Sequence, residues 1–312
     1  MLMGFSNMLA RNMSVKLTLS AFLFVLLCIN VFSCESVTEP GSPDATGSQA
    51  TTTPLPTMVG KPSEAIIIDH SCTSLELVPS PWLEQAKSGI RVWYGHTSHG
   101  GQITAGMKNL HSHYGRLYNF NKTGSSGALS YQEVSADLGL NGDLAWEKMT
   151  RKQLEHPDNN RNVIIWSWCG GVSSNTREGI DVYLNAVNQL ENDFPNLIFI
   201  YMTGHLDGTG QSGNLNILNN QVRDYCITNN KALFDFADIE SYDPDGKYFL
   251  NLNADDGCDY DGGNWAKEWC AEHPGSDLCR PCSCAHSQAL NCNLKGRAFW
   301  WMLARLAGWE GP

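Results

Sequence analysis

The stretch Gly95-His96-Thr97-Ser98-His99-Gly100-Gly101 puts two hydroxyls and two imidazoles side by side. A hydroxyl is a weak nucleophile until a base takes its proton, and imidazole titrates in the range where that transfer is useful. Ser98 is therefore a candidate nucleophile. Its bland alternative is to cap the helix that follows, a role serine often fills. Two further imidazoles stand in polar turns: His205 in Thr203-Gly204-His205-Leu206-Asp207-Gly208, and His286 just before a long apolar helix. Grouped differently, His96, His99 and His205 with Asp207 would suit a metal ion instead, and such a site would not need Ser98.

These side chains need a frame. Ile90, Val92, Trp93 and Tyr94 have the β-branched and aromatic bias of a buried strand, and helix-compatible sequence runs from Gln102 to His111. Strand, tight turn, helix is the unit with which α/β proteins place ligands at the carboxyl ends of strands. Residues 65–68, 162–168, 196–202 and 232–236 read as further strands, two of them near-continuous apolar runs of the kind buried on both faces of a parallel sheet. Helical periodicity recurs at Ile180, Tyr183, Leu184, Val187 and Leu190, and helices are also expected over 82–87, 216–228 and 294–306. The expected fold is α/β, a three-layer sandwich around a central parallel sheet. Trp166, Trp168, Trp300 and Trp301 are read as core, and Trp265 and Trp269 as a binding rim.

The chain has 312 residues, 42% of them hydrophobic, enough for one large domain with extensions. A net charge of -11 with only 21 Lys and Arg speaks against nucleic acid, whose binding rests on neutralising phosphates. Arg11 and Lys16 precede an apolar run from Leu17 to Phe32 that ends in Ser33-Cys34, the pattern of an export signal over residues 1–34. Residues 35–62 are rich in Ser, Thr, Pro and Gly and read as a disordered linker. The folded domain is expected over 63–312.

Between residues 255 and 292 the composition changes. Cys258, Cys270, Cys279, Cys282, Cys284 and Cys292 fall here, and in an exported protein such density implies a disulfide-rich loop insertion, with three bridges as the default. A zinc site at Cys279, Cys282 and Cys284 is the alternative. Asp255, Asp256, Asp259 and Asp261 lie in a glycine-rich turn that would suit structural calcium, or simply a solvated loop. No other cofactor is expected.

Two resemblances sharpen this reading. Val31-Phe32-Ser33-Cys34 resembles a bacterial lipobox, which implies a lipid on Cys34 and an extracytoplasmic protein that meets the membrane through that anchor alone. Gly95-His96-Thr97-Ser98, together with His286 followed by Leu290, Asn291 and Gly296, resembles the nucleophile and histidine blocks of divergent SGNH (GDSL-like) hydrolases, and with it a flavodoxin-like sheet. That resemblance implies Ser98 as nucleophile and His286 as base. The position three residues before His286 is Ser283 rather than an acid, so Asp238 is the carboxylate expected to orient the base, with Glu240 beside it. Gly142 stands for the second-block oxyanion amide. Ser167-Trp168-Cys169-Gly170 occupies the third block without its Asn, which leaves His99, Trp168 and His205 as oxyanion or substrate-binding groups. The implied activity is a serine esterase removing acyl, such as acetyl, groups from carbohydrate or a cell-surface polymer. A non-catalytic carbohydrate-binding or adhesion lipoprotein on the same fold, and the metal-dependent hydrolase above, are the alternatives.

Overall fold

The computed structural model describes residues 62–312. The expected export signal, the lipobox at Cys34 and the linker up to residue 61 lie outside the described residues.

Seven strands form one sheet: β1 (Ile66–Ile68), β2 (Arg91–His96), β3 (Phe120–Asn121), β4 (Leu129–Ser135), β5 (Val163–Trp166), β6 (Ile198–Met202) and β7 (Ala232–Phe234). Their order is β1-β7-β6-β5-β2-β4-β3 and every pairing is parallel. The residues of β5, β6 and β7 are all buried, as a sheet covered on both faces requires.

The covering helices are α1 (Ser80–Gly89), α2 (Gly101–Tyr114), α3 (Ala145–Leu154), α4 (Arg177–Asp193), α5 (Asn214–Thr228), the short α6 (Phe236–Ile239), α7 (Trp265–Glu272) and α8 (Ala289–Leu306). One layer holds α1, α2 and α8, with α2 and α8 in the most extensive contact; α3, α4 and α5 pack in series in the other. The two layers follow from topology. From β2 the chain moves outward to β4 and β3, whereas β5, β6 and β7 step off on the other side, and right-handed crossovers in opposite directions place their helices on opposite faces. The α/β three-layer fold is thus as expected. Helix α8 is buried from Leu290 to Ala304, its apolar second half and also the polar Asn291, Asn293, Lys295 and Arg297 of its first half. Among the described residues, no helix is long and apolar enough to cross a membrane.

The cysteine-rich excursion differs from expectation. It closes two disulfides, Cys270–Cys279 and Cys284–Cys292, while Cys258 and Cys282 keep free thiols. Cys279 and Cys284 are thereby unavailable as zinc thiolates. Trp265 and Trp269 are no rim: they are 1% and 7% exposed. The excursion packs onto the main core: the ring of Phe249, which precedes it, lies 5.9 Å from Trp265 and 4.9 Å from Tyr260.

Candidate active site

The sheet order reverses between β2 and β5, so the loops leaving these adjacent strands diverge and open a crevice at their carboxyl ends. The β2 loop carries Thr97, Ser98 and His99; the β5 loop carries Cys169. A Cβ on Gly100 would stand 2.2 Å from Ser167 Oγ and 2.4 Å from His96 Cβ, so glycine is what lets the two loops close. The Tyr94 hydroxyl fixes the turn by donating to the Gly100 carbonyl at 2.9 Å.

Ser98 does not cap α2, whose first turn has no side-chain cap. Its Oγ lies 3.0 Å from Cys169 Sγ. The same sulfur is 3.4 Å from His99 Nδ1, and His99 Nε2 is 2.8 Å from Asp256 Oδ2. The carboxylate can only accept, so Nε2 carries the proton and Nδ1 offers its lone pair to the thiol. The result is a thiol, imidazole and carboxylate in series. Burial holds His99 below the ordinary imidazole value; Asp256 pulls the other way, and His205 and His286 add to the lowering. Neutral His99 is the form that can take a proton. Burial opposes the charge on Asp256, but the His99 hydrogen bond and the nearby imidazoles outweigh it and keep its carboxyl below the usual range.

His205 and His286 sandwich His99. Their ring centroids lie 3.7 and 4.3 Å from it, with interplanar angles of 1° and 12°. His205 accepts from the Gly170 amide at Nε2 and therefore donates from Nδ1 to the Leu206 carbonyl, at 3.2 and 2.8 Å. The backbone on both sides fixes its orientation. His286 is exposed, with its backbone in the left-handed region at φ 62°.

The other expected residues fall elsewhere. Asp238 is a correction: its carboxylate bonds the ring and amide of His70, at 2.5 and 3.0 Å. The sheet explains this. β1 pairs with β7, so the loops after them, carrying His70 and Asp238, are neighbours, whereas β2 lies three strand spacings from β7, about 14 Å. The carboxylate beside the imidazoles is Asp256. Gly142 sits in a turn against Val182 of α4, and none of its close contacts involves the cluster. Trp168 is 4% exposed and donates its indole N–H to the Met202 carbonyl, a core role. Glu240 is buried in an ion pair with Lys295.

Of the groups suggested above as metal ligands, His99 and His205 lie together, but His96 and Asp207 have other partners. His96 Nε2 is held by Glu133 at 2.8 Å, and Asp207 accepts from Ser173 and Thr209. The four aspartates of the acidic turn do not converge: Asp255 accepts from the Gly257 and Asp259 amides, Asp259 from Asn264, Asp261 from Asn253, and Asp256 faces His99. Two other sets do converge. Ligand atoms of His99, Asp256 and His286 lie within 4.8 Å of one another, as do those of Asp69, His70 and Asp238.

A cleft of about 400 Å³ opens beside Ser98, lined by His96, Thr97, Gly101, Glu133, Val134 and Ser135. Its carboxylate, Glu133, is held below the usual range, chiefly by the His96 hydrogen bond. Across Gly101 a second open cleft of about 440 Å³ is lined by Lys108, Asn109, Ser112 and Ser283 among others.

No family model matches this chain. No curated protein matches it either. It is similar to a solved structure described as that of an acylhydrolase from Bacteroides fragilis, at 10% identity over 54% of this chain and 77% of that one, with a TM-score of 0.33. It is also similar to the structure of an acetyl xylan esterase, AlAXEase, at 17% identity over 53% of this chain and 89% of that one, with a TM-score of 0.32. Likenesses this distant say nothing of the chemistry here.

Proposed function

We propose that this chain hydrolyses esters by acyl transfer at the crevice between β2 and β5, with the Cys169 thiol as nucleophile. The observation that carries this reading is the series Cys169 Sγ, His99 Nδ1, His99 Nε2, Asp256 Oδ2, at 3.4 and 2.8 Å. His99 Nδ1 takes the thiol proton, and the sulfur attacks the ester carbonyl. The tetrahedral adduct then expels the alcohol, which leaves with the proton from His99. Water, deprotonated by the same nitrogen, cleaves the thioester, releases the acid and restores the thiol. Asp256 holds the imidazole in the required tautomer and offsets its charge when it is protonated.

A second reading keeps Ser98 as the nucleophile of an SGNH-type serine esterase. It is favoured by the position of Ser98, which lines the cleft and touches the same sulfur. An acylated carbohydrate or polymer as substrate fits the hydroxyl and carboxylate lining of the cleft. Export, with a lipid on Cys34, is part of the same proposal and is supported by the leader-like sequence and the two disulfides.

The test is release of 4-nitrophenol from its acetate by the full chain. Cys169→Ala and His99→Ala should each lose about 100-fold or more, and iodoacetamide should abolish activity by alkylating Cys169. Activity that survives in Cys169→Ala but disappears in Ser98→Ala establishes the serine reading. Activity indifferent to both substitutions overturns the proposal.

A further inference from the structure

His286 has no role in the thiol series, yet its exposed ring is laid over His99. Gln102, at the start of α2, donates to the Ala285 carbonyl at 2.7 Å and pins the backbone next to it. The left-handed backbone at His286 is one that residues other than glycine seldom adopt. What the ring gains by standing there is proximity to two donors: ligand atoms of His99, Asp256 and His286 lie within 4.8 Å of one another. The His99 donor is Nε2, because Nδ1 is turned to Cys169.

We infer that His99, Asp256 and His286 form a binding site for a divalent transition-metal ion, zinc above all, and that the ion switches off the thiol series. Two imidazoles and one carboxylate are a borderline donor set that suits zinc better than calcium or magnesium, which take oxygen ligands. Ligand atoms about 2.0–2.2 Å from a tetrahedral zinc stand roughly 3.4 Å apart. His99 Nε2 and Asp256 Oδ2 are already at 2.8 Å; the lone pair of an imidazole lies in its ring plane, so the exposed His286 ring, stacked on His99 at 4.3 Å, completes the set by swinging out of the stack and turning a nitrogen toward that pair. The pairing of His99 with Asp256 is what such a site adopts when protons take the place of the ion.

The consequence for catalysis rests on the proposed thiol mechanism. Neutral imidazole carries one N–H. An ion on Nε2 displaces that hydrogen to Nδ1, which then donates toward Cys169 Sγ instead of accepting from it. The thiol loses its base, while the atoms of the nucleophile stay where they were.

Calorimetric titration of the EDTA-stripped full chain with zinc chloride tests the site without reference to activity. One zinc should bind per chain. His286→Asn, which tolerates the left-handed backbone, should weaken it by about 10-fold or more. Cobalt in place of zinc should give visible bands without the intense near-ultraviolet absorption of thiolate ligation. No binding, undiminished binding in His286→Asn, or a thiolate band that disappears in Cys169→Ala would each overturn the site. Zinc should also inhibit 4-nitrophenyl acetate hydrolysis, reversibly with EDTA; bound zinc without inhibition refutes the switch. If Cys169→Ala and His99→Ala leave hydrolysis intact, the thiol mechanism falls while the titration still decides the metal site.

Discussion

Replacing Lys295 by Met should be among the most damaging single substitutions in the chain. Lys295, in α8, and Glu240, after α6, are both 0% exposed and form an ion pair. The ammonium also donates to Gln102 and lies 3.6 Å from the centre of the Phe236 ring. Burial holds it below the ordinary lysine value despite the pull of Glu240. Methionine fills most of the volume but leaves Glu240 with N–H donors alone, from the Leu206 amide at 2.7 Å and Asn291 at 3.4 Å. An uncompensated buried charge of this kind costs about 3–5 kcal/mol, a large part of the ~5–15 kcal/mol that typically holds a domain together. Glu240→Gln added to Lys295→Met removes the charge yet still accepts from Leu206. The double variant should therefore recover about 2 kcal/mol or more of the loss. Urea unfolding at pH 7, followed by circular dichroism, measures both. A loss below about 1 kcal/mol in Lys295→Met, or a double variant no more stable than the single one, would refute the reasoning.

Gly106→Ala should destabilise although alanine is the better helix former by about 1 kcal/mol. Its Cβ would stand 1.9 Å from the Cys292 carbonyl oxygen of α8, which is backbone and cannot rotate away. Forcing the helices apart costs about 1–3 kcal/mol or more, so the melting temperature should fall; a rise would show that α2 and α8 are not in backbone contact. The His70–Asp238 pair predicts a stability window in pH. His70 is raised, chiefly by its hydrogen bond to Asp238, so its contribution is complete below the unfolded value near 6.5 and fades as pH climbs through the folded one. Burial works against Asp238, but the bonds from His70 win and lower it, so its contribution is present above about 3.9 and fades as pH falls through the lowered value. The difference in melting temperature between wild type and Asp238→Asn should peak between these limits, and a difference flat with pH would refute the coupling.

Much of the fold was legible because β5, β6 and β7 are buried on both faces and so are apolar at every position. Strand β4 was not. It is continuously buried only over Leu129–Tyr131 and then alternates through Val134 and Ser135, next to the short β3 that ends the sheet. Helix α3 buries only Trp146, Thr150 and Leu154, a thin stripe within charged sequence. At the site, Ser98, His99, His205 and His286 could be placed at one sheet edge from their positions after strands and before α8. Their partners could not. Asp238 and Asp256 both lie in Asp-rich stretches, and local sequence says nothing of which one meets an imidazole. The parallel pairing of β1 with β7 gives Asp238 to His70, and the path of the excursion after residue 254 gives Asp256 to His99. Cys169 was legible as a third-block position without its Asn, but its closeness to both Ser98 and His99 depends on β2 and β5 being adjacent across the reversal in strand order.

The buried charge pair also explains how loops so far apart in sequence arrive in register. Gln102 accepts from Lys295 and donates to the Ala285 carbonyl. Glu240 accepts from Lys295 and from the Leu206 amide. One ammonium in the middle of α8 thus ties the residue before His286 to the start of α2, just beyond His99, and ties the residue after His205 to the end of α6. The three imidazoles stack because their backbones hang from the same buried network. An apolar core could pack α8 as tightly, but hydrogen bonds at fixed atoms add a directional constraint to the register that the packing of α2 against α8 already sets. The charge buried beneath the site therefore helps set the alignment of His99 between its two neighbours, and the stability it puts at risk goes with that alignment.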